Sequence, residues 1–91
     1  MNPFRFQLSR RRPMPPNSMS VARPTRWGNP FKITDRCPRD QSIDAFERYL
    51  LEMDPAKRQD FLAPLRGKNL GCWCKESERC HADVLLKWAN S

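Results

Sequence analysis

Apolar residues recur at steps of three and four positions in the middle of the chain, which is the spacing of one face of an α-helix. Charged residues between Gln41 and Met53 fall mostly on one side of this helix, and the other side carries Ile43, Phe46, Leu50 and Met53. The pattern predicts a helix over 41–53, with Asp40 or Ser42 as its N-terminal cap.

Two further helices are predicted in the second half of the chain. Asp54 and Pro55 form a typical helix start, because an acidic cap is followed by proline at the first helical position. We expect this helix to end before Gly67. A last helix is expected over His81–Asn90, with an apolar stripe made of Val84, Leu85 and Trp88.

Shorter segments predict strands. Apolar and polar residues alternate around Phe4, Phe6 and Leu8, which is typical of a short edge strand. A second strand is expected within Ser18–Thr25, and a third over Lys68–Cys74, where the three residues on one face are Leu70, Cys72 and Cys74. Alternating strands and helices in this order predict a small single-domain α/β fold, with a short sheet and about three helices.

Charge divides the 91 residues unevenly. The formal net charge is +7, and residues 1–34 hold seven basic residues and no acidic one. Residues 1–20 also contain four prolines, which disfavour a helix. We therefore divide the chain into a basic, proline-rich N-terminal arm (1–20) and a compact α/β domain (21–91). A basic block attracts polyanions such as nucleic acid, although a merely solvated arm is an equal alternative.

No segment predicts membrane insertion or secretion. The longest apolar runs, such as Val84-Leu85-Leu86, are far shorter than the ~18–20 residues that a membrane-spanning helix needs. No hydrophobic stretch follows the arginine-rich N-terminus, so a secretory signal peptide is not expected. We expect a cytoplasmic protein with reduced thiols and no membrane partner.

Three of the four cysteines lie within nine residues, beside the only histidine. Cys72, Cys74, Cys80 and His81 are a chemically complete ligand set for zinc. Their spacing argues against it, because Cys72 and Cys74 would lie ~6.5–7 Å apart in a regular strand, which is too far to share one ion unless the strand curls. Alternatively, Cys80 is a reactive thiolate at a helix N-terminus, with His81 and Asp83 as catalytic partners. A purely structural role for these residues is the third interpretation.

A second group of candidates precedes the first predicted helix. Gly28, Asn29 and Pro30 form a turn between two aromatic residues, and arginines lie just upstream. The candidate ligand-binding residues here are Arg23, Arg26, Trp27, Gly28, Asn29 and Phe31. If the flanking strands are parallel, this loop and the cysteine cluster leave the same edge of the sheet and face one pocket. The alternative is that Trp27 and Phe31 only fill the core.

These motifs resemble the family known as domain of unknown function 4326, small proteins of bacteria and bacteriophages. The resemblance is carried by VARPTRWGNPF (21–31), by Arg39-Asp40 before a helix, and by LRGKNLGCWCKESERCHAD (65–83). The segment RPMPPNSMS (12–20) is similar to the lead-in of phage-type members. The resemblance implies one intact domain with a site at these motifs, in the host cytoplasm if a phage encodes the protein. It does not imply a reaction.

Two functional hypotheses follow. In the first, the domain binds a nucleotide or another phosphorylated small molecule between the Trp27–Phe31 loop and the Cys72–His81 cluster, and catalysis there is left undecided. In the second, it is a non-catalytic module that binds nucleic acid or a host protein through its basic arm, with the cluster holding the fold. The sequence does not identify a cofactor beyond the candidate zinc ion.

Overall fold

A computed structural model describes residues 3–23, 25–75 and 77–90. In these residues the strands are β1 (Arg5–Gln7), β2 (Ser18–Ser20) and β3 (Asn69–Cys72). The α-helices are α1 (Arg39–Glu52), α2 (Pro55–Leu62) and α3 (His81–Ala89), and a single 3₁₀ turn over Ala63–Leu65 follows α2. The predicted α/β class with a short sheet and three helices is confirmed.

The three strands form one parallel sheet in the order β1-β3-β2, so that β3 is central. Leu70 of β3 lies opposite Arg5 on one side and Met19 on the other. Two hydrogen bonds continue the pairing beyond the strand ends, from Leu8 N to Cys72 O (2.7 Å) and from Val21 N to Gly71 O (2.9 Å). Because all strands are parallel, the chain leaves β1, β2 and β3 at the same edge of the sheet.

The helices begin and end close to the predicted positions. The buried face of α1 contains Ser42, Ile43, Phe46 and Leu50. The helix begins two residues earlier than predicted, after Pro38, and neither predicted cap acts as one: Ser42 lies inside the helix with its side chain fully buried. Asp54 and Pro55 start α2 as expected. The core between the helices and the sheet includes Phe46, Leu50, Leu65, Leu70 and Leu85.

Residues 1–20, which composition separates as an arm, include the strands β1 and β2. Phe6 and Leu8 pack so closely on Gly71 that a Cβ atom there would lie 2.6 Å and 2.9 Å from their side chains. The strand expected within Ser18–Thr25 ends at Ser20, and Pro24 lies outside the described residues. The consecutive arginines 10–12 are all exposed, between β1 and β2. None of the described helices is long and apolar enough to span a membrane.

Candidate functional site

A cavity of about 180 Å³ lies at the edge of the sheet where β2 and β3 end. One part of its lining comes from the segment after β2: Ala22, Arg23, Asn29, Phe31 and Ile33. Another part comes from the end of β3 and the start of α3: Cys72, Trp73, Cys74 and His81. Arg39 and Ile43 of α1 complete the lining. The cavity therefore lies between the two segments that the sequence analysis singled out.

Asn29 attaches the loop before α1 to that helix. Its side chain is buried, and its Nδ2 donates to Oγ of Ser42 (2.9 Å), while its Oδ1 accepts from the backbone N–H of Phe31 (2.9 Å). The hydroxyl of Ser42 in turn donates to the carbonyl of Phe31. Both ends of the Asn29 amide are thus used within the protein, so that this residue shapes the cavity wall.

Trp27 and Arg26 lie away from the cavity. The indole of Trp27 is buried in the core and donates from Nε1 to the carbonyl of Phe61 (2.8 Å). The guanidinium of Arg26 stacks on both rings, 5.0 Å from that of Trp27 and 5.5 Å from that of Phe61. The position of Trp27 agrees with the alternative in which this residue fills the core. Arg26 covers the ring of Trp27 from the solvent side.

Gly28 acts on the cavity indirectly, through Arg23. A Cβ atom at Gly28 would lie 2.5 Å from Cγ of Arg23 and 3.0 Å from its Cα, so only glycine allows this close approach. Arg23 lines the cavity and is exposed. Within the described part of the chain its guanidinium has no hydrogen-bond or ion-pair partner. It therefore presents an uncompensated positive charge at the rim.

The cysteine cluster is closer than a regular strand would allow. Strand β3 ends at Cys72 and the chain bends at Trp73 and Cys74. As a result the sulfur atoms of Cys72, Cys74 and Cys80 all lie within 4.8 Å of one another. The separation expected for a regular strand does not apply to Cys72 and Cys74, because the strand does not continue through Cys74. Cys37 bridges to Thr34 and is not part of this group.

The ionisation order of the thiols also differs from the expectation. The Sγ atoms of Cys72 and Cys80 are 2.8 Å apart. Hydrogen bonding from Cys80 lowers the pKa of Cys72 below that of an ordinary thiol, whereas the same hydrogen bond, together with burial, raises the pKa of Cys80 to about 11. Burial raises the pKa of Cys74. This order is opposite to the one expected from the position of Cys80 before α3, because its hydrogen bond with Cys72 and its burial outweigh the lowering of its pKa by the backbone N–H of Ala82 and by His81.

His81 is buried and held from two sides. Its Nε2 lies 2.8 Å from the carbonyl of Val21, which can only accept, so Nε2 carries a proton. In the neutral ring Nδ1 is then an acceptor, and it faces Sγ of Cys80 at 3.5 Å. The ring packs edge-on against Phe46, with centroids 5.3 Å apart. His81 thus borders the cysteine cluster without belonging to the group of three close sulfurs.

Asp83 contacts Cys80 and Arg5. Its carboxylate accepts from the backbone N–H of Cys80 (3.2 Å), which caps α3, and forms an ion pair with Nε of Arg5 (3.3 Å). Neither of these contacts involves His81, and the catalytic role of Asp83 stays a prediction.

Sequence reasoning did not find three residues that shape this site. Arg5 of β1 reaches the cluster from the opposite end of the chain, and Ser42 anchors the loop. Arg39 donates to the sulfur of Cys74 (3.4 Å) and the carbonyl of Arg79 (2.9 Å), and pairs with Glu78 (3.2 Å). The sequence signals for two of them were the Arg39-Asp40 motif, which carries part of the family resemblance, and the position of Ser42 at the start of a predicted helix.

Comparison with known proteins shows which family the chain is similar to. A family model described as "Domain of unknown function (DUF4326)" matches residues 5–91. The chain belongs to the DUF4326 family. A relative in this comparison is the uncharacterized 12.4 kDa protein in the nrdA-td intergenic region of Enterobacteria phage T4. It is 31% identical over 74 residues, which cover 79% of this chain and 67% of the phage protein. No solved structure matches the chain. The DUF4326 match spans both β1 and the cysteine cluster, and so confirms the resemblance found in the sequence.

Proposed function

We propose that this DUF4326 domain binds a small phosphorylated or nucleotide-like molecule in the cavity between the Trp27–Phe31 loop and the Cys72–His81 cluster. The observation that carries this proposal is the guanidinium of Arg23, which lines the cavity and has no partner in the described part of the chain. An arginine in this setting is suited to a phosphate, because its planar donors match two phosphate oxygens.

The charge of the cavity favours an anion. Its lining contains two arginines, Arg23 and Arg39, and no carboxylate among the described residues. The charge of Arg39 is balanced in part by Glu78 at 3.2 Å, so Arg23 is the stronger candidate for ligand contact. The cavity also lies beyond the carboxyl ends of parallel strands, where α/β proteins commonly bind their ligands.

The size and walls of the cavity restrict the ligand. Its volume of about 180 Å³ is below the ~300–1,000 Å³ that is typical of sites for drug-sized molecules. It therefore holds one part of a ligand, such as a base or a sugar phosphate, while the remainder extends to solvent. Phe31 and Ile33 provide apolar surface, and the ring of Trp73, 55% exposed, is placed to stack on a planar group.

A pair of matched variants tests the proposal. Phosphate, ribose 5-phosphate and nucleoside monophosphates are titrated into the full chain, and binding is followed by NMR chemical shifts and calorimetry. Arg23→Gln should weaken binding by about 10- to 150-fold, since a hydrogen bond to a charged group contributes ~1.5–3 kcal/mol. Arg26→Gln removes the same charge outside the cavity and should have little effect. The proposal fails if none of these compounds binds, or if both variants weaken binding equally.

A second candidate function is favoured by the exposed arginines 10–12. They lie between β1 and β2 and are all solvent-exposed, as a contact to a nucleic-acid backbone requires. In this alternative the domain binds nucleic acid through residues 10–12, and the cavity is not the binding site. The salt dependence of binding, described in the Discussion, distinguishes the two.

A further inference from the structure

We propose that Cys72, Cys74 and Cys80 bind a Zn²⁺ ion through three thiolates, with the fourth coordination position facing the cavity. This inference does not depend on the identity of the cavity's ligand, because metal binding is measured on the protein alone. It adds to the proposed function a resident metal ion at the wall of the cavity.

The positions of the three sulfurs are the first observation. All lie within 4.8 Å of one another, on three backbone positions held by different elements: the end of β3, the following bend, and the residue before α3. Zinc–sulfur bonds of ~2.3 Å in a tetrahedral arrangement place sulfurs about 3.8 Å apart. Cys72 and Cys80, now 2.8 Å apart, would separate by about 1 Å to hold the ion.

The cationic side chains around the sulfurs are the second observation. Three thiolates and one Zn²⁺ ion carry a net charge of −1, which is costly to bury unless it is compensated. Arg39 donates from Nη1 to the sulfur of Cys74 at 3.4 Å. Arg5, whose side chain is only 10% exposed, interacts with both Cys72 and Cys80. Hydrogen bonds of this kind to ligand atoms are typical of metal sites.

The third observation concerns the fourth position. Cys72 and Cys74 both line the cavity, whereas Cys80 does not, so the group of three cysteines borders the cavity on one side. His81 also lines the cavity, but the contacts of its ring with Val21 and Phe46 hold it outside the group of close sulfurs. Three protein ligands with an open position are typical of zinc sites that bind a water molecule or substrate, whereas structural sites have four protein ligands.

The first experiment measures zinc in the protein as purified. The full chain is prepared under reducing conditions without added metal or chelator, and zinc per chain is determined by elemental analysis. We expect about one zinc ion in the wild type and in the control Cys37→Ser, which removes a thiol outside the cluster. Cys74→Ser should lose this stoichiometric zinc. Cys74 is the informative position, because it is only partly buried and lies in a bend, so that the fold tolerates its replacement best.

A competition assay with a chromophoric chelator gives the size of the effect. Loss of a hydrogen-bonding neighbour of a ligand lowers metal affinity by ~10–100-fold, so loss of Cys74 itself should exceed about 100-fold, and Arg39→Gln should fall within that range. Circular dichroism shows whether each variant is folded. If Cys74→Ser unfolds, Co²⁺ added to the wild type replaces that variant as the test, because thiolate-to-cobalt absorption in the near ultraviolet reports sulfur ligation directly.

Three results would overturn the proposal. The first is a folded, reduced wild type that contains no zinc and takes up neither Zn²⁺ nor Co²⁺. The second is zinc that remains equally tight in folded Cys74→Ser. The third is a purified protein in which peptide mapping shows a disulfide between Cys72 and Cys80, and which still binds no metal after reduction.

Discussion

Gly71 offers a direct test of whether the first residues of the chain are an integral part of the sheet. It lies in β3 beside β1, and a Cβ atom there would lie 2.6 Å from Cζ of Phe6 and 2.9 Å from Cδ2 of Leu8. Such distances are too short for carbon atoms, so Phe6 and Leu8 must move if alanine replaces Gly71. We expect Gly71→Ala to destabilise the protein.

Two opposing effects set the magnitude. Replacing glycine by alanine in a strand normally stabilises it by ~0.5–1 kcal/mol, because glycine loses more conformational freedom on folding. Forcing an extra methyl group into a packed region costs ~1–3 kcal/mol. The net loss of unfolding free energy should be about 1 kcal/mol, which lowers the Tm of a domain of this size by ~4–8 °C.

Thermal and urea unfolding followed by circular dichroism measure this effect, in a double-mutant cycle with Phe6→Ala. Removing the ring of Phe6 makes room for the new methyl group, so Gly71→Ala should cost less in that background, with a coupling energy of at least ~0.5 kcal/mol. The reasoning is refuted if Gly71→Ala raises the Tm and does so equally with and without the Phe6 ring. That result would mean that Phe6 and Leu8 do not pack on Gly71 in solution.

Three other variants test separate parts of the structure. Ser42→Ala leaves the buried amide of Asn29 without its acceptor and should lower the unfolding free energy by ~1–3 kcal/mol; unchanged urea unfolding would contradict this contact. Gly28→Ala should displace Arg23, and so lower the Tm and weaken phosphate binding, as thermal unfolding and NMR titration would show. Replacing arginines 10–12 by alanine should reduce the slope of log affinity for single-stranded DNA against log salt by ~0.7 per lost phosphate contact; an unchanged slope removes these residues from any nucleic-acid interface.

The helices could be predicted from the sequence because their signals are local. Apolar residues three and four positions apart marked the buried face of α1, and Asp54-Pro55 marked the start of α2. Both signals depend on neighbours within one or two turns of the same helix. The parallel pairing of β1 with β3 had no such signal. Arg5 and Leu70 are 65 positions apart, and the residues of neither segment indicate which strand it pairs with.

Two features of the site differ from what the sequence led us to expect. A regular strand would hold Cys72 and Cys74 far apart. Their sulfur atoms are closer than that, because the strand ends at Cys72. Cys80 was expected to ionise first because it precedes a helix, yet its burial and its hydrogen bond with Cys72 determine the opposite order. The first difference comes from a bend at Trp73 and Cys74, and the second comes from a contact between two residues eight positions apart.

The sequence by itself determined the chemistry available to this DUF4326 protein: thiols beside a histidine, a rigid aromatic loop, and arginines concentrated before residue 35. It also determined the helices, since their periodicity is local. Only the tertiary structure decided which of these groups meet. Cys80 approaches Cys72, Arg5 crosses to Asp83, and Arg23 is left facing the cavity, because parallel strands bring the ends of distant segments to one edge of the sheet.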